Sequence, residues 1–444
     1  MRWLGLATFR HGVHPAEAKD GTRALPIRRF PFVSEIVVPL SQHLGKPAIP
    51  VVRDGQRVTR GDVIAEPDGF LSVAMHAPAT GRVKEIALRP SITGRMAPAV
   101  VIETEPGSSQ EAPPGEPCDL DTATPDAIVR AVQWAGVVGL GGAGFPTHAK
   151  LKLPDGRRVE TLIVNGVECE PYLTTDHRVM LEQRDDVYQG IRYLRRATGA
   201  ERVVVGVEEN KPDAAEHLRA GWPDDVPGGV ETLRVKYPQG AEKMLITALL
   251  GREVPSGGLP LDVGALCVNV ATTAEIGRLL PVGRGILERV ITVAGPAVER
   301  PGNYRIPIGT PVRALLDEIG LRADANRVFL GGPMMGNAVP SLDVVVTKGT
   351  SGVVAFSDEL AEPTHAHVYP CIRCGYCVDA CPIFLDPSEL GRLAEQRAFD
   401  AMADRHHLMD CFECGSCTWV CPAHIPLVQR FREAKRAVRK AQAA

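Results

Sequence analysis

The chain has 444 residues, of which 44% are hydrophobic and 23% charged, and its formal net charge is −3. This length exceeds what one hydrophobic core can organise and predicts about three or four domains. The charge balance gives no reason to expect a nucleic-acid partner. No run of about 18 apolar residues is present, so no membrane-spanning helix is predicted. Residues 1–15 lack the apolar core of a signal peptide, and we expect the chain in the reducing cytoplasm.

Short β-like runs alternate with glycine turns between residues 30 and 105, as at Asp54-Gly55, Gly61-Asp62 and Thr80-Gly81. This segment resembles the barrel-sandwich fold of biotinyl and lipoyl carriers. Those carriers present a lysine on a hairpin, but no lysine occurs between Val63 and His76, so we expect a structural role. The sequence thus predicts a barrel-sandwich-like domain over residues 1–105 and a Pro/Gly-rich linker over 106–123.

Strands and helices alternate from residue 124 to 280, beginning with Thr124 as an N-cap and Pro125 in the first turn of a helix. This order predicts a doubly wound α/β domain with a parallel sheet. Residues 281–350 are β-rich with one helix and predict a small β-grasp-like (SLBB) domain. Residues 360–444 predict a helical domain, with one helix opened by Asp386-Pro387.

The α/β region contains a glycine-rich loop with Gly139, Gly141, Gly142 and Gly144. Glycines allow a phosphate or a ring to approach the backbone closely, with N–H groups free to point at it. A tight turn ahead of a helix gives the same pattern, so the loop alone leaves both interpretations open.

The run GLGGAGFPTHAK (139–150) and the strand end VNGVECEP (164–171) together resemble the FMN- and NADH-binding flavoprotein subunit of respiratory complex I. In that family, residues at the matching positions hold non-covalent FMN and NADH. Leu140 and Val167 depart from the family pattern, which has arginine and aspartate there. The resemblance implies a cofactor site formed by Gly139, Gly141, Gly142, Gly144, Phe145, Lys150, Asn165, Glu168, Glu170, Tyr237, Glu242 and Asn269. It also implies that Phe145 faces the nicotinamide nucleotide and that Glu170 is the catalytic residue, positioning this nucleotide over the flavin.

Eight of the eleven cysteines form two copies of a C-x2-C-x2-C-x3-C-P run. This spacing is that of bacterial two-cluster ferredoxins, in which the fourth cysteine of each run binds the other cluster. By this resemblance one [4Fe–4S] cluster is held by Cys371, Cys374, Cys377 and Cys421, and the second by Cys411, Cys414, Cys417 and Cys381. Structural zinc sites lack the third close cysteine and the proline, and disulfide frameworks belong to oxidising compartments. We expect the other three cysteines, Cys118, Cys169 and Cys267, to be structural thiols.

Over residues 11–422 the chain resembles the RnfC family of the Rnf electron-transport complex, through HGVHP, VPLSQHLGKPA, HAPATG, GLGGAGFPT, NGVECEPYLTTD, YPQGAEK, GGPMMG and the cysteine runs, in that order. The resemblance implies a peripheral NADH-oxidising subunit at the cytoplasmic face of the plasma membrane. Its partners would be NAD(H) and integral-membrane and ferredoxin-like subunits, and it would touch the membrane only through them. Two alternatives stay open: a soluble flavo-iron–sulfur cobalamin reductase and a non-catalytic electron-relay scaffold.

Overall fold

The computed structural model describes residues 2–3, 5–142, 144–358 and 367–442. The beginning of the predicted helical domain, residues 360–366, and its last two residues lie outside this part of the chain. The strands before residue 105 are β1 (Arg2–Trp3), β2 (Leu6–Ala7), β3 (Ile27–Arg29), β4 (Glu35–Pro39), β5 (Ile49–Pro50), β6 (Arg57–Val58), β7 (Val63–Glu66), β8 (Met75–His76), β9 (Gly81–Pro90) and β10 (Met96–Thr104).

Strands β4 to β10 form two small antiparallel sheets, with the orders β4-β10-β9-β6 and β5-β7-β8. Ile36 and Ile102 from the first sheet and Ile64 and Met75 from the second are fully buried in one shared core. Because alternate side chains of each strand point to the same face, the short alternating runs of the sequence are enough to build this core. The arrangement agrees with the predicted barrel sandwich.

The three short strands β1, β2 and β3 lie outside these two sheets, and the bounds of the domain predicted over 1–105 stay a prediction. Strand β1 pairs with β2, and β2 extends the sheet of the α/β domain. Strand β3 pairs with a strand of the small β-rich domain near residue 304. Strands of two or three residues carry no readable alternation, so only the tertiary structure reveals which sheet they join.

The α/β domain contains α1 (Pro125–Trp134), α2 (Thr147–Leu151), β11 (Thr161–Gly166), α3 (Thr175–Glu182), α4 (Arg184–Thr198), β12 (Arg202–Glu208), α5 (Pro212–Ala220), β13 (Gly228–Leu233), α6 (Glu242–Leu250), β14 (Ala265–Asn269) and α7 (Val270–Leu279). Its strands are parallel in the order β13-β12-β11-β14. Leu162 packs with the helices on one face of the sheet and Ile163 with α6 on the other. Both faces are therefore covered, which explains the unbroken apolar runs of β11 and β12.

The strand order reverses between β11 and β14, because β12 and β13 follow β11 to one side and β14 lies on the other. In doubly wound sheets the carboxyl ends of the strands on either side of such a reversal form the ligand-binding crevice. Asn165 and Asn269 are register partners at the ends of β11 and β14. The fold therefore places the predicted strand-end residues at this reversal point.

The small β-rich domain contains β15 (Glu288–Ala294), β16 (Gly302–Pro307), α8 (Val312–Ile319), β17 (Arg327–Leu330), β18 (Asn337–Ala338) and β19 (Gly352–Phe356). Together with β3 these strands form one sheet of order β18-β17-β19-β15-β16-β3. Leu315, Leu316 and Ile319 of α8 cover its apolar face. The connection between β17 and β18, residues 331–336, extends toward the α/β domain.

The cysteine-rich part is helical, with α9 (Tyr376–Ala380), α10 (Pro387–Glu395), α11 (Phe399–Asp404), α12 (Ser416–Trp419) and α13 (Leu427–Gln442). Asp386 caps α10 by accepting hydrogen bonds from the Ser388 and Glu389 N–H groups, as the Asp-Pro pair predicts. Leu390, Met402 and Phe431 form its small core. None of the helices in the described ranges is long and apolar enough to cross a membrane.

An N-terminal segment ties the helical part to the α/β domain. The Gly12 N–H donates to the Ala380 carbonyl of α9 at 3.3 Å, and Val13 and Tyr237 exchange two backbone hydrogen bonds of 2.8 and 2.9 Å. This segment therefore lies between the cysteine-bearing helix and the loop that follows β13.

We predict that Gly12→Ala destabilises this junction more than a matched glycine substitution elsewhere. Gly12 has φ +81°, and an added Cβ would lie 2.5 Å from the Tyr237 carbonyl oxygen. Gly55 has a similar φ of +79°, but nothing lies within 4 Å of its added Cβ. Both alanines carry about 1–2 kcal/mol of left-handed backbone strain, and the steric clash at Gly12 should add about 1–3 kcal/mol. Urea unfolding of the anaerobic protein measures the difference, and equal losses for both variants would contradict the proposed junction.

Candidate functional site

The glycine-rich loop is anchored at its start by two hydrogen bonds. The Gly139 N–H donates to the Phe145 carbonyl at 2.9 Å, and the Leu140 N–H donates to the Thr272 hydroxyl at 2.9 Å. Beyond these anchors the loop is open, because Gly142 is exposed and nothing in the described residues lies within 4 Å of its added Cβ. The loop thus has the open backbone that a phosphate or a ring requires.

Two asparagines hold the backbone on either side of the reversal point. Asn165 donates to the Gly240 carbonyl at 2.8 Å and accepts from the Val167 N–H at 3.0 Å. Asn269 caps α7 by accepting from the Ala271 N–H at 2.9 Å. The Asn269 side chain also leaves no room for a Cβ at Gly141, where the distance to its Nδ2 would be 2.5 Å. Asn269 therefore lies against the glycine-rich loop, whereas Asn165 holds the neighbouring backbone at Gly240.

Glu168 has a structural role at the start of α3. Its buried carboxylate accepts from the backbone N–H groups of Asp176 at 2.9 Å and His177 at 3.4 Å, at the start of α3. A negative charge in this position stabilises a helix N-terminus. Asp176 lies beside it, and its burial, together with the charge of Glu168, raises the pKa of Asp176 to about 7. Asn269 donates to Asp176 at 2.7 Å, so this carboxyl group belongs to the same strand-end cluster.

Glu170 binds a loop of the small β-rich domain. Its two oxygens accept from the backbone N–H groups of Met334 at 3.1 Å and Met335 at 2.7 Å. Burial raises the pKa of Glu170 to about 7, against the opposing effect of these two hydrogen bonds. A carboxylate has about four lone-pair positions, so Glu170 retains acceptor capacity for a ligand.

Lys150 and Glu242 form an ion pair between the start of α6 and the end of α2, 92 positions apart in sequence. Phe145 lies beside the open loop and is 41% exposed, so its ring is accessible to a ligand. The structure thus gathers these three predicted residues at the glycine-rich loop. Their contact with a cofactor stays a prediction.

Tyr237 lies at the contact between the α/β domain and the cysteine-rich part, and its place in the cofactor site stays a prediction. Its hydroxyl, buried to 1% exposure, donates to the Cys414 carbonyl at 2.6 Å, and burial raises its pKa. The Cys169 thiol accepts from the Gly240 N–H at 3.3 Å in the same region, and burial raises its pKa as well. Together with Met334 these residues form an apolar contact between the α/β domain and the cysteine-rich part. Cys169 thus packs within this contact, and its role as a structural thiol stays a prediction.

Cys381, Cys411, Cys414 and Cys417 line one cavity of the helical part. Burial raises the pKa of Cys411 to about 11, and the neighbouring thiols of Cys414 and Cys381 contribute to the increase. Three cysteines of the second run therefore face the fourth cysteine of the first run, which is the arrangement expected for one cluster. The donor set fits a [4Fe–4S] cluster because it provides four thiolates in an enclosed, largely apolar space.

The other four cysteines lie closer to the surface. Cys371 and Cys374 are exposed, and Cys377 and Cys421 are half-buried. Burial raises the pKa of Cys377 to about 11, with contributions from Asp386, Cys374 and Cys421.

Among the described residues, no three His, Cys, Asp or Glu side chains are placed to share a single metal ion.

Two basic residues of the site were missed because they come from other parts of the chain. Lys19, from the N-terminal segment, is buried and donates to the Glu168 carbonyl. Arg289, from β15 of the small domain, donates to the Leu140 carbonyl of the glycine-rich loop at 3.0 Å. Neither lies in a motif with readable spacing, so only the tertiary contacts identify them.

Comparison with known proteins agrees with this architecture. The RnfC-type subunit of the Na+-translocating ferredoxin:NAD+ oxidoreductase complex of Acetobacterium woodii is 40% identical over 88% of this chain and 88% of its own length. The chain belongs to the RnfC family. Its relative in the proton-translocating complex of Clostridium ljungdahlii is 39% identical over 90% of this chain and 88% of its length. In Pseudomonas aeruginosa the corresponding member of an ion-translocating oxidoreductase complex is 43% identical over 98% of this chain and 56% of its length.

Family models match each part of this RnfC-family chain. They are the RnfC barrel sandwich hybrid domain at residues 7–106, the Nuo51 FMN-binding domain at 132–278, the SLBB domain at 290–338 and the 4Fe-4S dicluster domain at 367–425. These matches confirm the predicted kinds of domain. A solved NAD+-reducing [NiFe]-hydrogenase is also similar, with a TM-score of 0.49 and 21% identity over 72% of this chain and 66% of the hydrogenase chain.

We predict that Gly142→Asp weakens FMN binding by more than about tenfold, because it places a carboxylate where an anionic cofactor approaches the loop. The protein itself has room for the new side chain at this position. Gly107→Asp is the matched control, since nothing lies within 4 Å of its added Cβ either. Equilibrium dialysis against FMN measures the effect, and unchanged binding in Gly142→Asp would move the flavin site elsewhere.

We also predict that Cys414→Ala removes one of two clusters. Iron in the anaerobically reconstituted protein should fall from about eight to about four atoms per chain, with the other cluster retained. Cys118→Ala, which changes a half-buried thiol outside both runs, should keep all the iron. Iron and sulfide analysis with EPR of the reduced protein provides the measurement. Stoichiometric zinc in place of iron after anaerobic purification would be incompatible with the cluster assignment.

Proposed function

We propose that this chain is the NADH-oxidising electron-input subunit of an Rnf-type ferredoxin:NAD+ oxidoreductase complex, with non-covalent FMN and two [4Fe–4S] clusters. Family membership supports the complex, and the matched FMN-binding and dicluster domains support the cofactors. Bound FMN supplies the exchange between the two electrons of a hydride and the single electrons that iron–sulfur clusters carry.

The residues of the site have separable tasks in this proposal. The open N–H groups around Gly142 bind the flavin, and Asn165 and Asn269 hold the strand ends that support it. Phe145 offers its exposed face to the nicotinamide nucleotide. Glu170 accepts a hydrogen bond from this nucleotide and so positions it for hydride transfer, which increases the rate through orientation.

The single observation that carries the electron path is the hydrogen bond from the Tyr237 hydroxyl to the Cys414 carbonyl. It supports a position against the α/β domain for the cluster that Cys411, Cys414, Cys417 and Cys381 would hold. We therefore assign this cluster as the first acceptor after the flavin. The cluster ligated by Cys371, Cys374, Cys377 and Cys421 then delivers electrons outward, since two of its cysteines are exposed.

The exit cluster is surrounded by exposed apolar side chains. Ile372 is 68% exposed and Tyr376 57% exposed, in the first cysteine run itself. Such residues at an electron exit suit contact with ferredoxin-like partner subunits of the complex. Because NADH is a cytoplasmic substrate, we place this chain on the cytoplasmic face of the membrane, where integral-membrane subunits provide the anchorage and the ion pathway.

We predict that Glu170→Gln slows NADH-to-ferricyanide turnover while leaving flavin and iron content unchanged. A charge-assisted hydrogen bond is worth about 1.5–3 kcal/mol, which corresponds to a loss of about ten- to a hundredfold in kcat/KM. Glu216→Gln, an exposed change on α5, is the control and should retain wild-type kinetics. If the Glu170→Gln protein has its full flavin and iron content and still shows wild-type kinetics, Glu170 is not part of the site. If the unmodified protein does not oxidise NADH, the relay scaffold is favoured.

The pH dependence gives a second measurement on the same variant. Since the pKa of Glu170 is raised to about 7, the group is protonated below this pH and ionised above it. Only the ionised form accepts with both oxygens, so wild-type kcat/KM should rise between about pH 6 and 8. Gln does not titrate, so this rise should be lost in Glu170→Gln. An identical rise in the variant would assign the titration to another group.

A further inference from the structure

A fully buried arginine of the small β-rich domain lies beneath the glycine-rich loop. Arg289, at the start of β15, is 1% exposed and is among the largest fully buried side chains of the described residues. Its Nη2 donates to the carbonyl oxygens of Leu140 at 3.0 Å and Thr350 at 3.2 Å. Its Nε is also buried and has no hydrogen-bond partner among the described residues. The guanidinium group therefore connects two domains at the flavin loop with part of its donor capacity unused.

This cation has no carboxylate in contact. Within the described residues no Asp or Glu oxygen lies within 4.0 Å of the Arg289 side-chain nitrogens. Glu275 and Asp176 act on it only from a greater distance, and burial lowers its pKa to about 10, which still leaves it charged at neutral pH. An unpaired buried charge is strongly unfavourable. Such a site is stabilised when a bound group brings the missing negative charge.

The loop itself offers little free positive charge to a ligand. Leu140 stands where the complex I flavoprotein pattern has an arginine, and Lys150 is already paired with Glu242. Arg289 lies next to the same loop position through the Leu140 carbonyl. The cation beneath this position thus comes from a different domain, more than a hundred residues later in the chain.

The contact with the Leu140 carbonyl also determines the direction of a backbone donor. The Leu140 carbonyl and the Gly141 N–H belong to one planar trans peptide group, so they point in opposite directions. With the carbonyl held by Arg289, the Gly141 N–H faces away from the guanidinium, and it has no acceptor among the described residues. A cation on the carbonyl also polarises the peptide and makes its N–H a stronger donor.

We propose that Arg289 is a positioning residue for the flavin and supplies the positive charge of its site. It orients the Gly141 N–H toward the cofactor and attracts an anionic part of FMN, which is either the phosphate or the reduced ring. This inference rests on the flavin site proposed above.

The test measures affinities of anaerobic, iron-loaded protein stripped of flavin, by equilibrium dialysis with three probes: oxidised FMN, dithionite-reduced FMN and oxidised riboflavin. Arg289→Met removes the charge and should weaken binding of at least one FMN form by about tenfold or more. Arg289→Lys keeps the charge but places it on a different side chain without the planar guanidinium, so its loss should be about two- to fivefold. Arg60→Met is the control, because Arg60 is another buried arginine between domains and is paired with Glu288.

The three probes distinguish the two anionic groups. If Arg289→Met binds oxidised FMN more weakly but binds riboflavin as the wild type does, the charge of Arg289 acts on the phosphate. A loss confined to reduced FMN assigns it to the reduced ring, and a tenfold change in the ratio of the two FMN affinities equals about 30 mV for a two-electron couple.

Wild-type affinities for all three probes in Arg289→Met would overturn the inference while leaving the flavin site intact. If that variant does not fold, Arg289→Gln, which removes the charge but keeps N–H donors, takes its place, and wild-type affinities for all three probes in Arg289→Gln would overturn the inference equally. Wild-type protein that binds no FMN at all would instead overturn the proposed function.

Discussion

The hydrogen bond between the Tyr237 hydroxyl and the Cys414 carbonyl is the contact on which the proposed electron path depends. Electron transfer weakens steeply with distance, so a flavin and a cluster in separate domains need a rigid junction. Here the junction is apolar, with Val13, Ala380 and Met334 packed around the tyrosine. The N-terminal segment closes it from one side through the backbone hydrogen bonds of Gly12 and Val13.

Met334 and Met335 connect this junction to the proposed NADH site. Their backbone N–H groups bind the Glu170 carboxylate, and the Met335 carbonyl accepts from Arg432 of the C-terminal helix at 3.4 Å. Three domains thus meet within one network of hydrogen bonds. The loop that binds Glu170 therefore also packs near Cys414. In the proposed function, the small β-rich domain is a structural link between the NADH site and the first cluster.

Buried charge is concentrated around the carboxyl ends of the strands. Lys211 and Glu208 form a pair at 2% and 1% side-chain exposure, and Lys19, Glu168 and Arg289 are buried close by. Buried ion pairs rarely add net stability, because desolvation offsets their attraction. Their accumulation at the strand ends of a doubly wound sheet is typical of a ligand site, where such charges bind and orient polar cofactors.

The sequence by itself determined the kinds of domain and the two cysteine sets, because these depend on local patterns. The C-x2-C-x2-C-x3-C-P spacing needs only a short stretch of chain, and apolar runs between glycines are enough to predict the strands β11 and β12. Only the tertiary structure decided that β3 joins the small domain, that Tyr237 contacts Cys414, and that Arg289 lies beneath Leu140. These contacts join residues more than a hundred positions apart. Such pairings leave no periodicity in the sequence, since they arise from how the finished domains pack against one another.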